Sequence, residues 1–380
     1  MPTLTADAIQ RGLRRIDGDL RTAEATLDVL QAATGGITRL VPADVWCGVV
    51  LDPSTLLDTG GQHANGFPET TMPRLFEIEH IEQDDVDSLR ALVRRPDPVS
   101  LLSTSTGGDL STSKYYRDIL RPLGLRDELR VVLRQGGRTW GLLVLCRAAG
   151  SPAFTEADLV AARQVSTPAT AALRRSLLLG GSDTGGVADA PGLVVLDGRY
   201  DEVTVSPTAR RWLDDLPEHH PGRGPALPYV VRAVAARATA DTATPARSRT
   251  RTRSGRWVAL HAWRIGSAEA PMTAVAIGPA EPGDLAAIVL DAYGLSQRER
   301  QVTQQVLLGN STARIASALA ISEYTVQDHL KAVFDKTGVR SRRDLISTLF
   351  TRHYLPQLAR PSTSTDGRVV DPDGDHAASA

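Results

Sequence analysis

Apolar positions along the first forty residues recur at alternating intervals of four and three: Ile9, Leu13, Ile16, Leu20, Ala23, Leu27 and Leu30. That spacing forms one helical seam with a heptad repeat, which either packs on its own domain or pairs two chains. Short apolar runs follow. Residues 44–51 read as a strand ended by Asp52-Pro53, and 56–59 as a second ended by Gly60-Gly61. Residues 129–134 and 139–146 flank Gly136-Gly137, a pair that supplies the positive φ angles of a tight hairpin turn. Helical stretches are expected at 86–95 and 114–123. Thr155 and Asp158 form a capping pattern ahead of a long helix reaching Leu179. This order predicts an α+β domain over residues 1–180.

The stretch Gly180-Gly181-Ser182-Asp183-Thr184-Gly185-Gly186 has linker composition. A second, smaller α+β unit is expected over 187–280. Its strands are 193–196, 247–253, 257–265 and 273–277, and its helices 206–216 and 229–240. Arg247, Arg249, Arg251 and Arg253 alternate with Ser and Thr, which puts all four on one strand face. Such a stripe is either a phosphate-binding face or the solvated guard of an edge strand. After residue 355 the chain turns polar and small-residue-rich, and 356–380 is expected to be a disordered tail.

Residues 284–355 carry an all-α pattern of four short helices. Ser296 and Glu299 open the first with a capping box, and Gly309 stops it. Ser311 caps the second, whose core face is Ile315, Ala316 and Leu319. A three-residue joint ends in Ser322, the cap of a third helix with Val326, Leu330, Val333 and Phe334 at helical spacing. Gly338 ends that helix in the position that favours a left-handed backbone. Ser341 and Asp344 cap the fourth, which turns Leu345, Ile346 and Leu349 inward. A tight joint between the second and third helices makes this a helix-turn-helix.

Charge now changes the picture. The whole 380-residue chain has a formal net charge of -1, with 43 Lys and Arg against 44 Asp and Glu, which excludes a wholly basic coat protein. Residues 294–354 depart from that balance, with nine basic residues against five acidic ones and a net of +4. A cationic module gains affinity for duplex DNA by releasing condensed counterions. Two cysteines exclude a disulfide scaffold and a multi-cysteine zinc site. Cys47 and Cys146 sit in apolar strands and read as inert, buried thiols. No Walker loop, hydrolase triad or phosphodiesterase metal motif is present, so the chain reads as no enzyme, with no cofactor or metal. No stretch approaches the ~18–20 apolar residues of a membrane span, and the N-terminus lacks the apolar core of a signal peptide. A cytoplasmic protein is expected.

Leu295-Ser296-Gln297-Arg298-Glu299-Arg300-Gln301-Val302 resembles the opening of the LuxR-type (NarL/FixJ-type) helix-turn-helix. Gly309, Ile315-Ala316, Leu319, Ile321-Ser322, Thr325-Val326, His329-Leu330, Phe334-Asp335-Lys336 and Gly338-Val339 match in register. The resemblance implies a four-helix domain that sets its third helix in the major groove and dimerises through its fourth. It implies DNA contacts from Ser322, Thr325, Gln327, Asp328 and Lys331 on the third helix, with Arg314, Lys336, Arg340, Arg342 and Arg343 around it. Lys331 can bond guanine or a phosphate, Gln327 adenine, and Asp328 a cytosine amino group. Asp328 can equally pair with Lys331 on the helix surface. Relatives often carry a basic residue where Gln327 stands and a lysine where Ala313 stands, which loosens any inference about the operator. His329 reads as structural.

The first region resembles a GAF domain through the 46–51 strand, the 129–146 hairpin and Phe154-Thr155-Glu156-Ala157-Asp158-Leu159. The second is similar to a degenerate PAS-type sensor through Ser254-Gly255-Arg256-Trp257-Val258-Ala259-Leu260-His261. Candidate contacts for a small-molecule ligand are Trp46, Cys47, His63, Tyr115, Tyr116 and Trp140, each of which can equally be core or isolated. The sequence thus predicts a homodimeric transcription regulator that binds double-stranded DNA. The competing reading is a sensor scaffold whose C-terminal helices dock a protein partner.

Overall fold

The computed structural model describes residues 6–64, 67–179, 190–217, 227–240, 244–267, 270–280 and 288–353. The linker expected at 180–186 and the tail at 356–380 lie outside them. The described residues fall into two compact units: 6–179 with 190–279, and residue 280 with 288–353.

The first unit opens with α1 (Ala6–Thr22) and α2 (Thr26–Leu40), which pack on each other. The single heptad seam expected here is therefore split. Ile9, Ile16, Leu20 and Leu30 are buried inside the protomer. Two glycines let the helices approach. A Cβ on Gly12 would lie 2.3 Å from a Leu40 methyl, and one on Gly36 2.4 Å from Ile16. The break at Ala23-Glu24-Ala25 contains neither Gly nor Pro, and the heptad phase runs straight across it, so periodicity alone conceals the turn.

Next come β1 (Val45–Leu51), β2 (Asp58–Ala64), α3 (Met72–Phe76), a wide helical turn over Glu77–Glu82, α4 (Leu89–Leu92), β3 (Val99–Leu101) and α5 (Leu102–Ser105). Further helical turns lead to β4 (Leu125–Gln135), β5 (Arg138–Ala148) and α6 (Glu156–Leu179). The strands form one antiparallel sheet in the order β2-β1-β5-β4-β3. The β4–β5 turn is as expected, with Gly136 and Gly137 at φ 61 and 75. Gly60-Gly61 does not end a strand. It lies inside β2, where a Cβ on Gly61 would come within 2.7 Å of the Gly48 carbonyl on β1. Helices α1, α2 and α6 pack together, α2 and α6 covering one sheet face. α3, α4 and the helical turns cover the other, over Leu51, Val132, Leu142, Val144 and Cys146.

A second sheet belongs to the same unit. Its strands are β6 (Gly192–Leu196), β7 (Glu202–Val205), β8 (Ala246–Arg251), β9 (Trp257–Gly266) and β10 (Pro271–Pro279), with α7 (Pro207–Asp215) and α8 (Tyr229–Ala240) between them. Its order, β7-β6-β10-β9-β8, repeats the 2-1-5-4-3 pattern of the first sheet. β7 escaped sequence reading because it is four residues long and three of them, Glu202, Val203 and Thr204, are exposed.

The arginine stripe on β8 splits. Arg249 is bidentate to buried Asp52 on the first sheet's side, at 2.9 Å to each oxygen. Arg251 is buried and donates to the carbonyls of Ser176 and Gly255. Only Arg247 and Arg253 are exposed. The stripe is thus neither a free phosphate face nor a fully solvated edge, because its middle fastens the second sheet to the first.

The other unit holds α9 (Gln297–Leu307), α10 (Thr312–Leu319), α11 (Glu323–Thr337) and α12 (Arg342–His353). Residues 288–292, ahead of α9, are also helical. Among the described residues, no helix is long and apolar enough to cross a membrane.

Candidate functional site

Local signals fold the C-terminal unit. The Ser296 hydroxyl accepts from the Glu299 amide at 3.3 Å, and the Ser296 amide donates to the Glu299 carboxylate at 2.6 Å, closing the capping box. Ser311 caps α10 by accepting from the Arg314 amide. Ser322 caps α11 by accepting from the Thr325 amide at 3.0 Å. Between α10 and α11, Ala320 takes a left-handed φ of 53. A non-glycine residue there holds strain of about 1 kcal/mol or more, and it makes the joint tight. Val326, Leu330 and Val333 bury the inner face of α11. Gly338 ends it at φ 70.

The opposite face of α11 is turned outward. Gln327, Asp328 and Lys331 are exposed. Among the described residues neither Asp328 nor Lys331 forms an ion pair, so the surface pairing considered for them is not made. Gln327 Nε2 reaches the Thr312 hydroxyl at 3.4 Å, and Thr325 shares a 2.8 Å bond with Ser322. Arg314, Ser322, Arg340 and Arg343 are exposed, and His329 is half-buried.

Two cations expected to contact DNA also have partners within the domain. Lys336 Nζ bonds both Glu299 oxygens, at 2.6 and 2.9 Å, and so ties the end of α11 to the capping box of α9. Burial alone would raise Glu299, but Lys336 and the Ser296 amide hold its carboxyl below the usual range. Arg342 is half-buried and donates to the Asn310 carbonyl.

The residue missed from sequence is Tyr324. It is 76% exposed and precedes Gln327, Asp328 and Lys331 by three, four and seven positions, on the same helix face. An aromatic at a helix start that serves no core position was the available signal.

The front unit holds a cavity of about 120 Å³ on the face of the first sheet opposite α2 and α6. Of the candidate ligand contacts, Trp46, Cys47 and Tyr115 line it. Tyr116 and Trp140 do not. Tyr116 packs against the adjoining core, and Trp140 is buried with no partner for its Nε1 among the described residues. The His63 side chain lies outside the described residues.

Sequence reading missed the polar members. Arg130 enters from β4 and Glu79 and His80 from the helical turn, Asp58 starts β2, and Tyr229 comes from α8 beside the second sheet. Glu128 and Arg130 are two apart on β4, so they share a face, and both are buried. Arg130 bonds Glu128 and, at 2.8 Å, Glu79, and it donates to the Asp87 carbonyl. Its guanidinium lies 4.7 Å from the Tyr115 ring centroid, and the Tyr115 hydroxyl donates to Glu128 at 2.7 Å. Burial pushes the Tyr115 phenol and the Cys47 and Cys146 thiols up, so all three stay protonated at neutral pH. Burial also raises the Asp58 carboxyl to about 7, against one opposing bond from the Gly60 amide. It lowers His80 to about 4, and that ring stacks on Phe76 at 5.6 Å.

Comparison with known proteins agrees with both halves. Residues 294–349 match the family model described as bacterial regulatory proteins, luxR family, and residues 24–173 match the GAF domain. Spore germination protein GerE of Bacillus subtilis (strain 168) is 38% identical over 55 residues, which are 14% of this chain and 74% of GerE. A protein of Aeromonas salmonicida, described as an HTH-type transcriptional regulator in the exeN 3′ region, is 41% identical over 61 residues. Those are 16% of this chain, and they span only 31% of the relative's length. The cyanobacteriochrome TePixJ GAF domain aligns at 16% identity over 41% of this chain and 94% of that one, with a TM-score of 0.31, too low to bear on function. The chain belongs to the luxR family of bacterial regulatory proteins. It joins that family's helix-turn-helix to a GAF domain.

Proposed function

We propose that this protein is a transcription regulator that binds double-stranded DNA as a homodimer. In this reading α11 enters the major groove, and the front unit modulates binding in response to a small molecule. The reading rests on the outward face of α11, where Tyr324, Gln327, Asp328 and Lys331 stand at i, i+3, i+4 and i+7 with no core role. Thr325, Ser322, Arg314, Arg340 and Arg343 surround that face and suit phosphate contacts. Lys336 and Arg342, already bonded within the domain, hold its helices instead. The second sheet is PAS-like in this reading, which its strand order favours. A protein with this role works in the cytoplasm, beside the chromosome, and is no enzyme.

The cavity belongs to the proposal because Tyr229 brings α8 of the second sheet to its wall. Phe76 lies between cavity and α8, with its ring 5.9 Å from that of Tyr229. A filled cavity therefore has a direct route to the second sheet.

Gel-shift titration of the full chain against sheared DNA, over a range of salt, tests the reading. Wild-type affinity should fall steeply with salt. Lys331→Ala should weaken binding by about 1–3 kcal/mol if it reads guanine, or reduce the salt slope by about 1 if it holds a phosphate. Two half-sites about one helical turn apart are expected in a selected operator. Absence of salt-sensitive DNA affinity, with retained binding to a protein partner, would favour the scaffold reading instead.

A further inference from the structure

The cavity's polar groups are unequal. Arg130 and Glu79 bond each other, Glu128 holds both Arg130 and Tyr115, and the Glu79 carboxylate also receives the Leu89 amide. Each of these groups has a charged partner within the protein, Arg130 serving both carboxylates. Asp58 is the exception. It lines the cavity at the start of β2, accepts one bond from the Gly60 amide at 2.9 Å, and has no ion-pair partner among the described residues. The cavity walls are aromatic and aliphatic, with Phe67, Phe76, Tyr115 and Tyr229 among them.

A carboxyl enclosed by apolar and aromatic surface without a counter-charge favours a ligand that brings one. An ammonium group supplies the positive charge and the hydrogen-bond donors, and aromatic walls attract it further through their ring quadrupoles. Size limits the rest. The cavity measures about 120 Å³ and opens to one side; its volume is of the same order as the roughly 150 Å³ apolar cavity that holds benzene, so the body is one small ring or a short branched chain.

We propose that this cavity takes a small primary amine with an apolar body, its ammonium held by Asp58. The proposal rests on the reading of the cavity as the ligand site and adds the ligand's chemical class.

Benzylamine, benzyl alcohol and toluene, titrated into the full chain by calorimetry with tryptophan emission as a second signal, separate the outcomes. At pH 8 benzylamine should bind about tenfold or more tighter than benzyl alcohol, the margin of one charge-assisted bond. That margin should shrink at pH 6, where Asp58 takes up its proton while the amine keeps its own. Facing Asp58 across the cavity are Cys47, Cys146 and the Tyr115 and Tyr229 phenols, along with Glu79 paired to Arg130. His80, held at about 4, is neutral at both values. Asp58→Asn should abolish the margin and keep benzyl alcohol affinity. The pH comparison on wild type stands even if that variant does not fold. Equal binding of amine and alcohol overturns the amine class and leaves the cavity reading intact. Binding by none of the three overturns both. A margin that persists in Asp58→Asn removes Asp58 from the site.

Discussion

The two five-stranded sheets of the front unit share one strand order and differ in what lies over them. Above the first, a charged cluster and the rings of Phe67, Phe76, Tyr115 and Tyr229 line the space under the covering elements, and a cavity remains. Against the second, the covering helices approach closely. A Cβ on Gly192 would lie 2.2 Å from the Ala209 amide, so α7 sits directly on β6. Helix α8 meets its sheet with small residues, Ala233, Ala235, Ala236 and Ala238 being buried, and Trp212 of α7 is wholly enclosed. Strand order therefore does not decide whether such a sheet encloses a site. The bulk and charge of the residues on the covering side decide it.

The largest expected effect breaks the charged side of that comparison. Arg130→Met would strand Glu79 and Glu128 without their shared cation. Breaking a buried pair by removing one partner costs about 3–5 kcal/mol, measured here by urea unfolding. A loss below about 1 kcal/mol would mean that the cluster is no more than a surface pair in effect, and that it does not shape the first sheet's interior.

The packed side gives the next largest. Trp212→Ala empties a filled site and should cost about 3–5 kcal/mol. Phe67→Ala removes a half-buried ring at the cavity wall, and should cost about 1–2 kcal/mol. Paired unfolding curves test the difference. Equal losses would erase the distinction between a filled and an open interior.

How much of this was legible in sequence follows from how local each signal is. The helix-turn-helix was readable because Ser296, Ser311, Ser322 and Gly338 each act within a few residues of themselves, and the structure keeps every one of those caps. The bond from Lys336 to Glu299 could not be read locally, because the two are 37 positions apart. The front unit depends on such distant pairings throughout. Arg249 finds Asp52 across 197 positions, and Arg130 finds the Asp87 carbonyl across 43. From sequence, the arginines on β8 look like a solvated or phosphate-binding stripe, and Gly60-Gly61 like a strand end. Each is explained only by a neighbour that the fold brings up. Asp58 and His80 were invisible for the same reason, since neither has a motif and both matter only through the cavity.

Those two groups set the smallest and most diagnostic expectation. Asp58 titrates near 7 in the folded protein against an ordinary 3.8. Between those values the folded state binds more protons than the unfolded chain, so this group makes stability fall as pH rises from about 4 to 7. His80 titrates near 4 when folded against an ordinary 6.5. There the unfolded chain binds more protons, so stability climbs as pH rises from about 4 to 6.5. The slopes oppose, and the pair contributes little net pH dependence in wild type. Single variants should expose them with opposite signs. Relative to wild type, Asp58→Asn should gain stability between pH 4.5 and 6.5, and His80→Gln should lose it, in urea unfolding at both values. Changes of the same sign in the two variants would show that these groups do not share the low-polarity interior that distinguishes the first sheet from the second.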